Sequence, residues 1–165
     1  MAAQTMKPPT PAGHGGAARK GIATAADLSD THGCPHASVP LSWPVTVSRH
    51  PLGQTVDRLK HALQAHDLWL IHDIDTQMLL KRGGHDIPGL RQLLFFHPRY
   101  MARLLSTDPN ALNHVPLKFI VMERPGGEVT FYCADPLATF APYPALADLA
   151  RDLAEVCHQI ALAAT

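Results

Sequence analysis

Residues 68–136 read LWLIHDIDTQMLLKRGGHDIPGLRQLLFFHPRYMARLLSTDPNALNHVPLKFIVMERPGGEVTFYCADP. Three apolar runs of strand length stand out: Leu68–Asp75, Leu90–Phe96 and Leu117–Glu123. Turn formers separate them, first Gly83-Gly84 and later Asp108-Pro109, which is how strands are bounded in a sequence. Pro125-Gly126-Gly127 then leads into a fourth run, Glu128–Ala134, and reads as a hairpin connection. Between the second and third runs, Pro98 is placed for the first turn of a helix. Tyr100, Met101, Leu104 and Leu105 give that helix an apolar stripe.

Working outward, Pro44–His50 is β-branched, alternates weakly and reads as a first strand. Leu52, Val56, Leu59 and Leu63 recur on one face of a helix, and Thr76–Arg82 allows one or two helical turns. Downstream, Leu146, Leu149, Leu153, Val156 and Ile160 form the seam of a C-terminal helix. The order β-α-β-(α)-β-α-β-β-α predicts a single α+β domain, an antiparallel or mixed sheet packed against helices. Strict alternation puts Leu70, His72 and Ile74 on one face of their strand, with Trp69 and Ile71 on the other. Several strands are apolar on both faces, so a further helix, a second subunit or an apolar ligand is expected to cover the second face.

Residues 1–40 are rich in Ala, Gly, Pro, Thr and His, with few large apolar side chains. Such a segment cannot offset its ordering entropy by burial, so a disordered arm is expected, with the folded domain over 41–165. The chain of 165 residues has fourteen Lys and Arg against fourteen Asp and Glu, without a basic run. That balance argues against nucleic-acid binding. No apolar run approaches the roughly 18 residues of a membrane span. The opening MAAQTMKPPTPAGHGG has no apolar signal region. The three cysteines Cys34, Cys133 and Cys157 show no framework spacing. A cytoplasmic protein with reduced thiols is expected.

The order of these motifs resembles one small bacterial and archaeal family, the domain of unknown function 302. The resemblance covers about residues 45–140. It is carried by Ile74-Asp75, Phe96-His97-Pro98, Val115-Pro116-Leu117, the glycine hairpin and the closing Asp135-Pro136. It implies a compact α/β sandwich, often homodimeric, with no settled activity. The family commonly has Asn-Pro where this chain has His97-Pro98, and Leu-Pro where it has Val115-Pro116. A histidine that often follows the strand-two aspartate is replaced by Thr76.

Candidate site residues follow from placement. His97, at a helix start, is either a cap or a ligand to an anion, a metal or haem. Asp75 either caps the next turn or pairs with His97 or Arg99 across the sheet edge. His72 is either a satisfied core or interface residue or a metal ligand. The candidate ligand-binding set is Asp75, His97, Arg99 and Tyr100, and the candidate metal ligands are His72 and His97. Arg99, Arg103 and Lys118 are a possible anion cluster, and Arg103 fits a solvated helix face equally well. Cys34-Pro35-His36 resembles short haem-sensing thiolate motifs, and as a dipeptide beside a histidine it fits chance as well. Cys133 alternates with Phe131 and Val129, where a buried inert thiol belongs.

The expected function is a small binding protein, a homodimer, with a ligand, transition-metal or haem pocket near the ends of strands two and three. The alternatives are an enzyme using Asp75 and His97 in acid–base chemistry, and a structural or adaptor dimer without a small ligand.

Overall fold

The computed structural model describes residues 45–165. The N-terminal arm and Cys34-Pro35-His36 lie outside the described residues. Five strands, β1 (Thr46–Ser48), β2 (Trp69–Asp75), β3 (Leu90–Phe96), β4 (Leu117–Glu123) and β5 (Val129–Cys133), form one sheet in the order β1-β5-β4-β3-β2. Every neighbouring pair is antiparallel. The helices are α1 (Leu52–Ala65), α2 (Thr76–Arg82), α3 (Pro98–Thr107), α4 (Pro136–Phe140) and α5 (Ala147–Ala164). Tight 3₁₀ turns occupy Pro109–His114 and Pro144–Leu146. The α+β class stands, and the sheet is antiparallel. Among the described residues, no helix is long and apolar enough to cross a membrane.

One face of the sheet makes the core. Leu93 pairs with Phe119, Phe95 with Leu117, and Val121 with Phe131, and all six side chains are buried. The Phe95 and Phe119 rings stack at 5.2 Å, and Phe131 meets Phe119 edge-on at 6.4 Å. Onto this row α1 lays Val56, Leu59 and Leu63, and α5 lays Leu149, Leu153 and Ile160. The stripe of α5 continues through Cys157 instead of Val156, which is only partly buried. Arg58 of α1 donates to the carbonyls of Ala163 (3.1 Å) and Ala164 (3.3 Å). Those carbonyls have no partner within the helix, so the guanidinium ties the two helices together.

The opposite face is less apolar than alternation alone suggests. Leu94, Ile120, Met122 and Tyr132 are half-buried there, and Gln92 and the exposed Lys118 interrupt them. The β4–β5 hairpin turns through Gly126 (φ 103°) and Gly127 (φ 87°), backbone angles that side-chain-bearing residues rarely adopt.

Phe119 sits between two other rings and has no room to be replaced by a neighbour. Phe119→Ala is expected to lower the unfolding free energy by about 3–5 kcal/mol. Urea denaturation checks this as a lower midpoint at unchanged slope.

Candidate functional site

Antiparallel pairing decides which side chains meet. Trp69, at the start of β2, faces Phe96 at the end of β3, and Asp75, at the end of β2, faces Arg91 near the start of β3. Asp75 and His97 therefore sit at opposite ends of the strand pair. Six residues along a strand separate Arg91 from His97, roughly 20 Å at ~3.3 Å per residue. The expected Asp75–His97 pair does not form, because consecutive strands joined this way run in opposite directions. Asp75 is a helix cap: its Oδ1 accepts from the Met78 backbone N–H of α2 at 2.8 Å. Its other oxygen lies 3.9 Å from the Arg91 guanidinium.

A β-bulge at Ile71 changes the second expectation. Leu70 pairs with Phe95 and His72 with Leu94, so Ile71 is the extra residue. The bulge places Leu70 on the core side and moves His72 and Ile74 to the opposite face. His72 is exposed, so it is not a core residue. Among the described residues, no group of three or more His, Cys, Asp or Glu side chains is placed to hold a metal ion. His72 does not line the groove that contains His97.

His97 caps α3. Its Nδ1 accepts from the Arg99 backbone N–H at 3.1 Å, so a neutral ring carries its proton on Nε2. That nitrogen lies 3.6 Å from Asp67 Oδ2. Asp67 also pairs with the Arg99 guanidinium. It occupies the α1–β2 turn at φ 54°, a left-handed conformation that aspartate tolerates. The acidic partner of His97 is thus Asp67, not Asp75. Arg99 lies over the Tyr100 ring at 4.7 Å. The Tyr100 hydroxyl first, and the Asp67 carboxylate with it, outweigh slight desolvation and raise the Arg99 pKa, so the guanidinium stays charged. Tyr100 itself is buried. Arg103 pairs with Asp152 at 2.6 Å, so Arg99 and Arg103 are each matched by a carboxylate.

Beside His97 runs an apolar groove of about 450 Å³, lined by Trp69, Ile71, Phe96, Pro98, Met101 and Leu105. The Trp69 ring meets the imidazole edge-on at 5.3 Å. Among the described residues, six of the ten exposed large apolar side chains, Trp69, Leu70, Ile71, Met78, Leu79 and Leu105, lie on β2, α2 and α3. Sequence reading joined His97, just past the end of β3, to Asp75, at the end of β2, two residues that the structure sends to opposite ends of the strand pair. It missed Asp67, whose signal is its place just ahead of an apolar strand start, in a turn that must reverse the chain.

It also missed Asp73. This carboxylate accepts from Arg91 at 3.0 and 2.6 Å in a two-pronged pair and lies 2.6 Å from Lys60 Nζ of α1. Burial works to raise its pKa, but the hydrogen bonds and charges of Arg91 and Lys60 outweigh burial and hold it below the usual carboxylate value.

The sequence profile of the Domain of unknown function DUF302 matches residues 43–163. The chain belongs to this family. No curated protein matches it. A solved structure, the uncharacterized conserved protein DUF302 from Bacillus stearothermophilus, superposes with a TM-score of 0.70 at 18% identity. The match covers 74% of this chain and 97% of that one, and at this identity the likeness is one of fold.

Two outcomes follow from these geometries. His97→Asn keeps a capping acceptor and is expected to change stability by less than about 1 kcal/mol, whereas His97→Ala costs about 1 kcal/mol or more; thermal melts separate them. Asp73 has a lowered folded-state pKa, so its contribution is fully present above its unfolded value and fades as pH falls through the folded one. Stability of the parent is therefore expected to fall below about pH 4 more steeply than that of Asp73→Asn. Urea titrations at a series of acidic pH values check the difference.

Proposed function

We propose that this domain is a non-catalytic binding module that works as a homodimer through the β2 side of the sheet. The clustering of exposed apolar side chains around β2 carries this reading. Trp69 is 56% exposed and Ile71 54%, on a strand that ends the sheet. Clustered apolar exposure of this kind marks an interaction surface. The bulge at Ile71 interrupts a regular ladder, so side-chain packing, not continuation of the sheet, would make the contact.

The ligand in this reading is a small molecule with an apolar body that fills the groove and a polar end that meets His97 Nε2. A volume of about 450 Å³ suits that size class. Haem is one such molecule; His97 would reach its iron through Nε2 only if the ring proton moved to Nδ1 and the cap on α3 were given up. A cytoplasmic location completes the reading, on the odd cysteine count without framework spacing. Acid–base catalysis by Asp75 and His97 loses its support with the two at opposite ends of the strands. An adaptor dimer without a small ligand would use the same surface.

Sedimentation velocity at micromolar concentration is expected to give a dimer for the parent and a monomer for Ile71→Lys. A monomeric parent sinks the dimer. In a Trp43→Phe background, haemin and an anilinonaphthalene sulfonate are each expected to change Trp69 fluorescence saturably. No change with either, in an intact dimer, puts the adaptor reading first.

A further inference from the structure

The two cysteines within the folded domain meet. Cys133 ends β5 on the face turned toward α5, and Cys157 lies in the buried stripe of α5. Their sulfurs are 3.8 Å apart, and the Cys133 thiol donates toward Cys157 Sγ. Closing to a disulfide at ~2.05 Å needs less than about 2 Å of sulfur movement. Both cysteines line a cavity of about 180 Å³ shared with Asp135 and His158. One water takes up ~30 Å³ in the liquid, so a molecule of peroxide size enters readily and a bulky peptide disulfide does not.

We propose that Cys133 and Cys157 form a hydroperoxide-sensitive dithiol that closes reversibly to an intramolecular disulfide. The hydrogen-bond direction assigns the roles. Cys133 stays protonated: its hydrogen bond to Cys157 first, then burial, then the charges of Cys157 and Asp135 push its pKa well up. Cys157 accepts that hydrogen bond and, once it loses its proton, is the nucleophile. Its thiolate attacks one oxygen of hydrogen peroxide, the O–O bond breaks, and the departing hydroxide takes up the released proton as water. Cys157 is then a sulfenic acid. The Cys133 sulfur attacks Cys157 Sγ, and the sulfenic hydroxyl leaves with the Cys133 proton as a second water. Two thiols and one peroxide thus give one disulfide and two waters, with two electrons passing from sulfur to oxygen. A small dithiol returns them by exchange. This proposal does not depend on the binding reading.

The bond would span 24 positions and tie β5 to α5 around α4. The test uses the full chain with Cys34→Ser, treated with hydrogen peroxide and examined by intact-mass and peptide mapping. The expected product is lighter by two hydrogens, carries one Cys133–Cys157 linkage, and returns to the dithiol with dithiothreitol. Its Tm is expected to rise by roughly 10 °C. Adding Cys133→Ser should leave a sulfenic acid on Cys157 that dimedone traps. If that variant does not fold, the mass shift of the Cys34→Ser protein alone decides. Two unreacted thiols after peroxide treatment, or oxygen added without a linkage, overturns the proposal.

Discussion

The register between β3 and β4 is the constraint on which the rest of the molecule rests. It puts Leu93 beside Phe119 and Phe95 beside Leu117, and so makes a continuous apolar row across the middle of the sheet. A slip of one residue would turn one strand over against the other, bringing either Leu94 or Lys118 to that face and breaking the row. With the row in place, α1 and α5 have a surface to cover, and the Phe95–Phe119–Phe131 contacts fill the space beneath them. The ends of β3 are then fixed too. One end holds Arg91 for Asp73, and the other runs into His97 and the start of α3.

Beyond this core, charge holds β2 in place. Asp73 points to the core side of the sheet and gathers Arg91 from β3 and Lys60 from α1. A single carboxylate thereby joins an edge strand to its neighbour and to the helix above. The bulge at Ile71 makes this possible: without the extra residue, strict alternation would turn Leu70 and Asp73 to opposite faces. The same bulge keeps Trp69 and Ile71 exposed beside α3, so one backbone irregularity serves both the ion pair and the groove.

β3, β4 and β5 were legible because each is an apolar run soon followed by a proline, and β3 and β4 match the sequence reading residue for residue. The capping roles of Asp75 and His97 were legible as well, since a polar acceptor ahead of a helix start has a local cause. What failed depended on chain direction and distant contacts. Alternation cannot reveal a bulge, so the faces of Leu70 and His72 were misassigned. Sequence neighbours cannot reveal that antiparallel strands send Asp75 and His97 apart. The partnership of Cys133 with Cys157 arises only when α5 crosses β5, and no spacing rule encodes it.

The groove and the thiol pair lie in different parts of one sheet. β2 is an edge strand, and β5 is three strands away, roughly 14 Å at ~4.8 Å per strand. Between them stands the rigid Leu93–Phe119 row. Contacts at the groove involve side chains of β2, the end of β3 and α3, whereas a bond between the cysteines would join β5 to α5. A disulfide there would act on the groove only by moving α5 against α3, and the contact between those helices includes the Arg103–Asp152 pair. An exposed ion pair of this kind is worth about 1 kcal/mol or less. It is too weak a link to transmit a large change, so the two sites are better understood as independent features of the same fold.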